Sequence, residues 1–142
     1  MIKVSQLLSM KFNRVEAVSP NIIVYEAIEI MLDKNIGSLL VIESGDLVGI
    51  FTEHDYARKL VLQGKNPKDT FVKDVMSTNL NLITPEDTLD ECMKIVTEKR
   101  IRHLPVIENG RLVGLLSIGD LVKAAMEEQE LVIAQLKTYI NT

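Results

Sequence analysis

Tryptophan is absent from this chain, and aromatic residues make up only 4% of it. The core of a 142-residue protein must then be filled by Leu, Ile, Val and Met. There is one cysteine, Cys92, so no disulfide can form within the chain. Cys92 lies among Leu89, Met93 and Val96 at helical spacing, which reads as a core thiol rather than a nucleophile. Two histidines, His54 and His103, are too few for a multi-histidine metal site. There is no Walker loop, GxGxxG, Cys-x-x-Cys or Ser/His/Asp arrangement. No segment approaches the roughly 18 consecutive apolar residues of a membrane-spanning helix. The start, Met1 to Leu8, is too short and too mixed for a signal peptide, so a cytoplasmic location is expected. Basic charge is not in excess either. A formal net charge of -4 argues against a general nucleic-acid surface, though not against a local basic pocket for one nucleotide.

The composition itself is that of an ordinary globular protein, 46% hydrophobic and 25% charged. The length suits one domain or two small halves sharing a core. Ile2, Val4, Leu7 and Leu8 suggest a short N-terminal helix lying on the main body. Asn13 to Ser19 suggests a short strand stopped by Pro20. Val24, Ala27, Ile28, Met31 and Leu32 then keep the spacing of a helix with one buried face. Asn35 or Gly37 can supply its left-handed cap. Leu39 to Ile42 and Leu47 to Phe51 read as two strands buried on both faces, joined by Glu43-Ser44-Gly45-Asp46. Thr52 is placed to cap a helix carrying Tyr56, Ala57, Leu60 and Val61. Gln63 to Pro67 is the best linker candidate, and Val72, Val75 and Met76 lead towards a second copy of the same pattern.

The second copy is exposed by a constant offset. A shift of 65 carries Pro20 onto Pro85, Ile36 onto Ile101, Val41 onto Val106, Gly45 onto Gly110, Gly49 onto Gly114 and Asp55 onto Asp120. One ungapped offset holds for about 44 residues, roughly a third of them identical, as expected of an internal repeat. The expected organisation is an N-terminal segment (1–14), a first β-α-β-β-α repeat (15–64), a connecting segment (65–79), a second repeat (80–126) and a C-terminal helical extension (127–142). Neither half has much core alone, so the two are expected to pack together. The extension carries Leu131, Val132, Leu136 and Ile140. It packs either on its own body or on another subunit, and the reading leans to the second.

Two stretches could carry chemistry. Thr52-Glu53-His54-Asp55 and Ser117-Ile118-Gly119-Asp120 are equivalent under the shift. Each sets a hydroxyl at a strand end and a carboxylate about one helical turn on. A carboxylate accepts two hydrogen bonds at once, which suits vicinal hydroxyls such as those of ribose. The hydroxyl and the free amides of a helix start suit phosphate. Ser/Thr-x-x-Asp is also an ordinary helix-capping pattern, and it is the recurrence that favours function. Arg102 and His103 stand where the first copy has Gly37 and Ser38. They are either phosphate-neutralising cations or a solvated pair at an element boundary. Arg58 and Lys59 likewise either add positive charge or lie in water. The glycines at 45, 49, 110 and 114 fit tight hairpin geometry better than phosphate cradling.

These repeats resemble a pair of CBS domains (cystathionine-β-synthase-type domains), a tandem known as a Bateman module. The resemblance covers about residues 15 to 126. Its carriers are Ser19-Pro20 and Thr84-Pro85, Ile36 to Val41, Arg102-His103-Leu104-Pro105-Val106, the two Gly-x-Leu-Val-Gly turns and the two Ser/Thr-x-x-Asp ends. The chain is also similar end to end to small stand-alone CBS-pair proteins, through Thr52 to Lys59, Ser117 to Lys123 and the terminal Gln135 to Ile140. The resemblance implies an α+β fold in which two repeats pack as a pseudo-two-fold pair, with two clefts for AMP, ADP, ATP, NAD or, less readily, S-adenosylmethionine. One cleft would combine Thr52, Asp55 and Arg58 with Thr84, Arg102, His103 and Pro105. The other would combine Ser117 and Asp120 with Ser19, Gly37 and Ser38. The first has the cations, so it is expected to bind phosphorylated ligands more strongly. The resemblance further implies a homodimer.

The resulting expectation is a regulatory sensor that binds an adenine nucleotide and acts on a separate partner protein. It needs no cofactor, metal, membrane or nucleic acid and has no catalytic residues. The alternative is a structural or adaptor dimer with vestigial clefts. An enzyme is the least favoured reading, since no activated nucleophile or acid/base pair is visible.

Overall fold

The apolar runs on either side of Ser44-Gly45 and of Asn109-Gly110 form two antiparallel hairpins in the computed structural model, which describes residues 1–10 and 16–140. In chain order the elements are α1 (Val4–Ser9), β1 (Ala17–Val18), α2 (Val24–Lys34), β2 (Ser38–Glu43), β3 (Asp46–Thr52) and α3 (Glu53–Asp55). A π-helical stretch (Tyr56–Val61) and a 3-10 turn (Val72–Asp74) come next, then α4 (Leu89–Lys99), β4 (His103–Glu108), β5 (Arg111–Ser117) and α5 (Ile118–Ile140). The strand expected over Asn13 to Ser19 is present as Ala17–Val18; its first three positions lie outside the described residues. The fold is α+β, with two small sheets and a long final helix.

Both hairpin turns have two central residues at positive φ: Ser44 (52°) with Gly45 (84°), and Asn109 (52°) with Gly110 (77°). That is the primed turn whose twist matches paired strands, and glycine takes its second position without a Cβ penalty. Gly49 and Gly114 have a different cause. A Cβ on Gly49 would stand 2.6 Å from Met76 Sδ, and one on Gly114 would stand 2.6 Å from Leu8 Cδ2. These glycines admit a neighbouring segment rather than shape the turn, which corrects the hairpin reading of both.

The chain divides into two units, Arg14–Leu80 and Met1–Asn13 with Asn81–Thr142. In the first, β1 pairs parallel to β2 and β2 antiparallel to β3. One face of α2 (Val24, Ala27, Met31) covers this sheet, packed with Leu39, Val41, Phe51 and Leu60. Burying such side chains is worth about 1.5–3 kcal/mol each. Asn35 ends α2 in the left-handed conformation, its amide donating to Met31 and Leu32 carbonyls. Leu32 and Val61, expected on buried faces, are 77% and 58% exposed. Leu32 lies at the edge of the helical stripe, and Val61 is turned outward where the helix widens to π geometry.

The same core contains Val72 and Val75. The segment expected to lead into the second repeat therefore completes the first. Val72 and Lys73 amides donate to Ile22 and Pro20 carbonyls (2.9 and 3.0 Å), and Val24 N donates to Thr70 O (2.8 Å). In the other unit α1 does the equivalent work. Val4 and Ser5 amides donate to Asp87 and Pro85 carbonyls (2.8 and 3.0 Å), and Leu89 N donates to Ile2 O (2.8 Å). Val4 and Leu7 join Leu89, Cys92, Val96, Leu104, Val106, Leu116 and Leu121 in that unit's core. Here β4 pairs with β5, and Ile83 adds a parallel bridge to Val106 where the first unit has β1. Thr88 caps α4 by accepting from Glu91 N. Beyond Ala124 no residue of α5 is buried, and Leu131, Val132, Ile133, Leu136, Tyr139 and Ile140 are all exposed.

Candidate functional site

At the end of β3 the sequence forms a reciprocal cap. Thr52 N and Thr52 Oγ1 both donate to Asp55 Oδ2 (3.0 and 3.1 Å), while Asp55 N donates back to Thr52 Oγ1 (3.1 Å). This satisfies amides that a helix start leaves unpaired. At the end of β5, Ser117 N donates to Asp120 Oδ2 (2.8 Å) and Asp120 N donates to Ser117 Oγ (3.2 Å). The two expected carboxylates thus stand in like settings at equivalent helix starts, one in each unit.

They differ in depth and in partners. Asp55 is 6% exposed. Its Oδ1 accepts from Ser77 Oγ (2.8 Å) and pairs with Lys59 Nζ (3.3 Å). Lys59 also donates to the carbonyls of Val75 (3.0 Å) and Met76 (3.4 Å). Asp120 is half-buried. Sequence reasoning left Lys59 either adding positive charge or lying in water, and gave Ser77 no part. Spacing could have flagged Lys59, which stands at i+4 from Asp55 on the next turn.

Each strand start lies beside its own repeat's carboxylate turn. Ser38, which is buried, faces Thr52 across the hairpin, and Gly37 O accepts from Glu53 N (3.1 Å). A Cβ on Gly37 would come 3.2 Å from Glu53 Oε1. In the other unit His103 faces Ser117, and Arg102 O accepts from Ile118 N (2.8 Å). The Arg102 side chain is exposed. Pro105 is buried in β4 and its carbonyl accepts from Ile83 N (3.0 Å). Thr84 is exposed, its amide donating to Asp87 Oδ2 (2.7 Å). Ser19 is exposed and its hydroxyl accepts from Asn21 N (3.2 Å). Arg58 is exposed on the π-helical stretch. Thr52, Asp55, Arg58, Ser19, Gly37 and Ser38 therefore belong to one unit, and Thr84, Arg102, His103, Pro105, Ser117 and Asp120 to the other.

Beside the second carboxylate, Gly119, Val122, Lys123, Met126, Glu127 and Glu130 line a shallow groove of about 400 Å³ along α5. Cys92 is fully buried, and its thiol is pushed up to about 11, first by burial and then by the nearby charges of Asp87 and Glu91. A thiol so protonated is a poor nucleophile. Among the described residues no group of three or more His, Cys, Asp or Glu side chains is placed to hold a metal ion. No described helix is long and apolar enough to cross a membrane.

Two hairpin-and-helix repeats, each ending in a hydroxyl–carboxylate cap, define a tandem module, and the chain belongs to the CBS-domain family: residues 7–62 and 72–127 each match the CBS domain. Among named relatives, it is 41% identical over 123 residues to the mitochondrial CBS domain-containing protein CBSX3 of Arabidopsis thaliana. That match takes in 83% of this chain and 60% of the plant protein, so the chain spans less than two thirds of that relative. The fold superimposes on a putative signal-transduction protein with CBS domains from Burkholderia ambifaria (TM-score 0.85, 45% identity, 89% of this chain and 96% of that one). It also matches CBSX2 in complex with AMP (TM-score 0.75, 24% identity, 91% and 99%), a likeness of fold.

Proposed function

We propose that this protein is a non-catalytic regulatory module that binds an adenine nucleotide and transmits its presence to a separate protein. The observation that carries the reading is the hydroxyl–carboxylate cap, built twice in two CBS domains. A carboxylate fixed by backbone amides is pre-oriented, so little ordering is lost when it accepts the two hydroxyls of a ribose. A ligand of this class, AMP, is bound by the similarly folded CBSX2. AMP, ADP, ATP and NAD are the candidate ligands, with S-adenosylmethionine behind them. The carboxylates of Asp55 and Asp120 hold ribose in this reading, with Thr52 and Ser117 beside them. The family pattern adds Thr84, Arg102, His103, Pro105 and Arg58 for one ligand, and Ser19, Gly37 and Ser38 for the other. A mass spectrum of small molecules released from the purified protein, with calorimetry against that nucleotide panel, tests the reading. An adenosine compound bound at micromolar concentration is expected; no binding of any at millimolar concentration refutes it.

One observation favours a second reading, an adaptor whose working surface is α5. Its last turns expose Leu131, Val132, Ile133, Leu136, Tyr139 and Ile140. A helical extension with so little packing is marginal in water by itself. The same exposure supports assembly of the chain as a homodimer, which sedimentation checks directly. A cytoplasmic location goes with the sensor reading, and the mitochondrial relative marks the other compartment to examine.

A further inference from the structure

Past Ala124 nothing in α5 is buried, yet its side chains keep a regular order. Met126, Gln129, Ile133, Leu136 and Ile140 are spaced three and four residues apart in turn, which sets them on one stripe. Its four apolar members are each half or more exposed. At about 100° per residue the stripe lies about a third of a turn from Leu121 and Ala124, the buried face of the helix. It therefore faces away from the core that α5 covers. Alternating steps of three and four are the seam of paired helices, in which apolar side chains of one helix fill gaps on the other.

The flanking charges select the occupant. Glu127, Glu128 and Glu130 crowd the first half of this segment, and Lys137 stands in the second. No acidic residue lies within four positions of Lys137 on its own helix. An anionic lipid surface would need a basic flank instead. A second copy of the same helix supplies the missing acid, and only in one direction. Glu130 and Lys137 lie on the same flank, each directly after a seam residue, Gln129 or Leu136. In a parallel pair that flank meets the opposite one, where Ala125 and Val132 offer no charge. In an antiparallel pair the flank meets itself. With Ile133 beside Leu136 of the second copy, Gln129 lies beside its Ile140 and Lys137 beside its Glu130, and each contact occurs twice. Sliding by one heptad matches Met126 with Leu136 but sets Glu130 on Glu130 and Lys123 on Lys137, which like-charge repulsion disfavours. In the favoured register Ile140 of the second copy reaches the Met126–Glu130 end of the shallow groove on α5.

We propose that α5 pairs antiparallel with α5 of a second copy across Ile133 and Leu136, with Lys137 of each copy held against Glu130 of the other. This rests on the homodimer reading above, to which it adds the contact and its direction, and it does not depend on nucleotide binding. The arrangement is two-fold symmetric, so it closes at a dimer. Sedimentation of the full chain is expected to show a dimer whose dissociation constant rises about tenfold or more in Ile133→Glu, which sets a charge in the seam. Lys137→Glu and Glu130→Lys are each expected to weaken the dimer, and the two together to restore it. Cysteines report the direction. Gln129→Cys and Ile140→Cys chains are expected to cross-link when mixed and not when alone; Cys92 is fully buried and does not compete. All of the substituted positions are exposed, so folding is retained. Cross-linking of each cysteine variant with itself shows a parallel pair and overturns the proposal. So does a charge swap that fails to restore the dimer. A dimer untouched by Ile133→Glu also overturns it while leaving the homodimer reading in place, whereas a monomer at every concentration removes both.

Discussion

Replacing Gly49 by alanine tests how residues 72–77 are held. The backbone at Gly49 is in a region open to any residue, so alanine itself gains about 0.4–1 kcal/mol by restricting the unfolded chain. Space decides the outcome. The added carbon would lie 2.6 Å from Met76 Sδ, 2.9 Å from Met76 Cγ and 3.0 Å from Ser77 O. Methionine can swing aside. The Ser77 carbonyl cannot, because it accepts from Ile50 N (2.9 Å) while Ser77 N donates to Ile50 O (2.8 Å). Overpacking of this kind costs about 1–3 kcal/mol, so a net loss near 1–2 kcal/mol is expected. At Gly114 the three nearest atoms all belong to the Leu8 side chain, at 2.6, 3.4 and 3.6 Å. A half-buried leucine end can move, so Gly114→Ala should cost under about 1 kcal/mol. Urea denaturation of both variants gives the comparison. Adding Met76→Ala to Gly49→Ala should recover only part of the loss, since the carbonyl contact remains. Equal costs at the two glycines, or full recovery in the double variant, refute the argument.

Single groups give two further expected outcomes. Cys92 should react with a thiol reagent at pH 8 only after denaturant is added, and its raised pKa adds an alkaline effect. Burial favours the neutral thiol, so this contribution is intact below about pH 9 and is lost as pH rises towards 11; Cys92→Ala should flatten that part of a stability–pH curve. Ser44 holds φ of 52° in the first hairpin turn, where the second hairpin uses Asn109. Ser44→Asn should raise stability by about 0.5 kcal/mol, read as a small rise in melting temperature, because asparagine tolerates the left-handed region better.

Much of this architecture was legible in the residues. The 65-residue shift revealed the repeat, the hairpins and both Ser/Thr-x-x-Asp turns, because strand alternation, turn chemistry and capping are local effects. The pieces that stayed hidden are long-range. Val72 and Val75 precede the second repeat in sequence, which made them look like its beginning, yet they pack on the first. A second offset would have exposed this: Val4, Leu7 and Leu8 stand 68 positions before Val72, Val75 and Met76. That shift differs from 65, so one ungapped alignment cannot show both. The hydrogen bond from Ser77 to Asp55 was invisible for a related reason, since it depends on a segment folding backward along the chain, whereas the Lys59 contact lay within reach of i+4 spacing.

That backward packing makes the connectivity nested. The unit Arg14–Leu80 is one continuous stretch, while its companion is assembled from pieces before and after it. During synthesis the inner unit can be completed first, while α1 waits for partners such as Leu89 that are made later. Once folded, the inner unit also replaces a long flexible loop between α1 and its docking site. Unfolding it lengthens that loop, at about 0.6 kcal/mol for each doubling. A mutation buried wholly inside Arg14–Leu80 should thus loosen α1 through chain entropy alone. Cutting the chain between the repeats would not release two self-sufficient halves, because the C-terminal piece would lack its first helix.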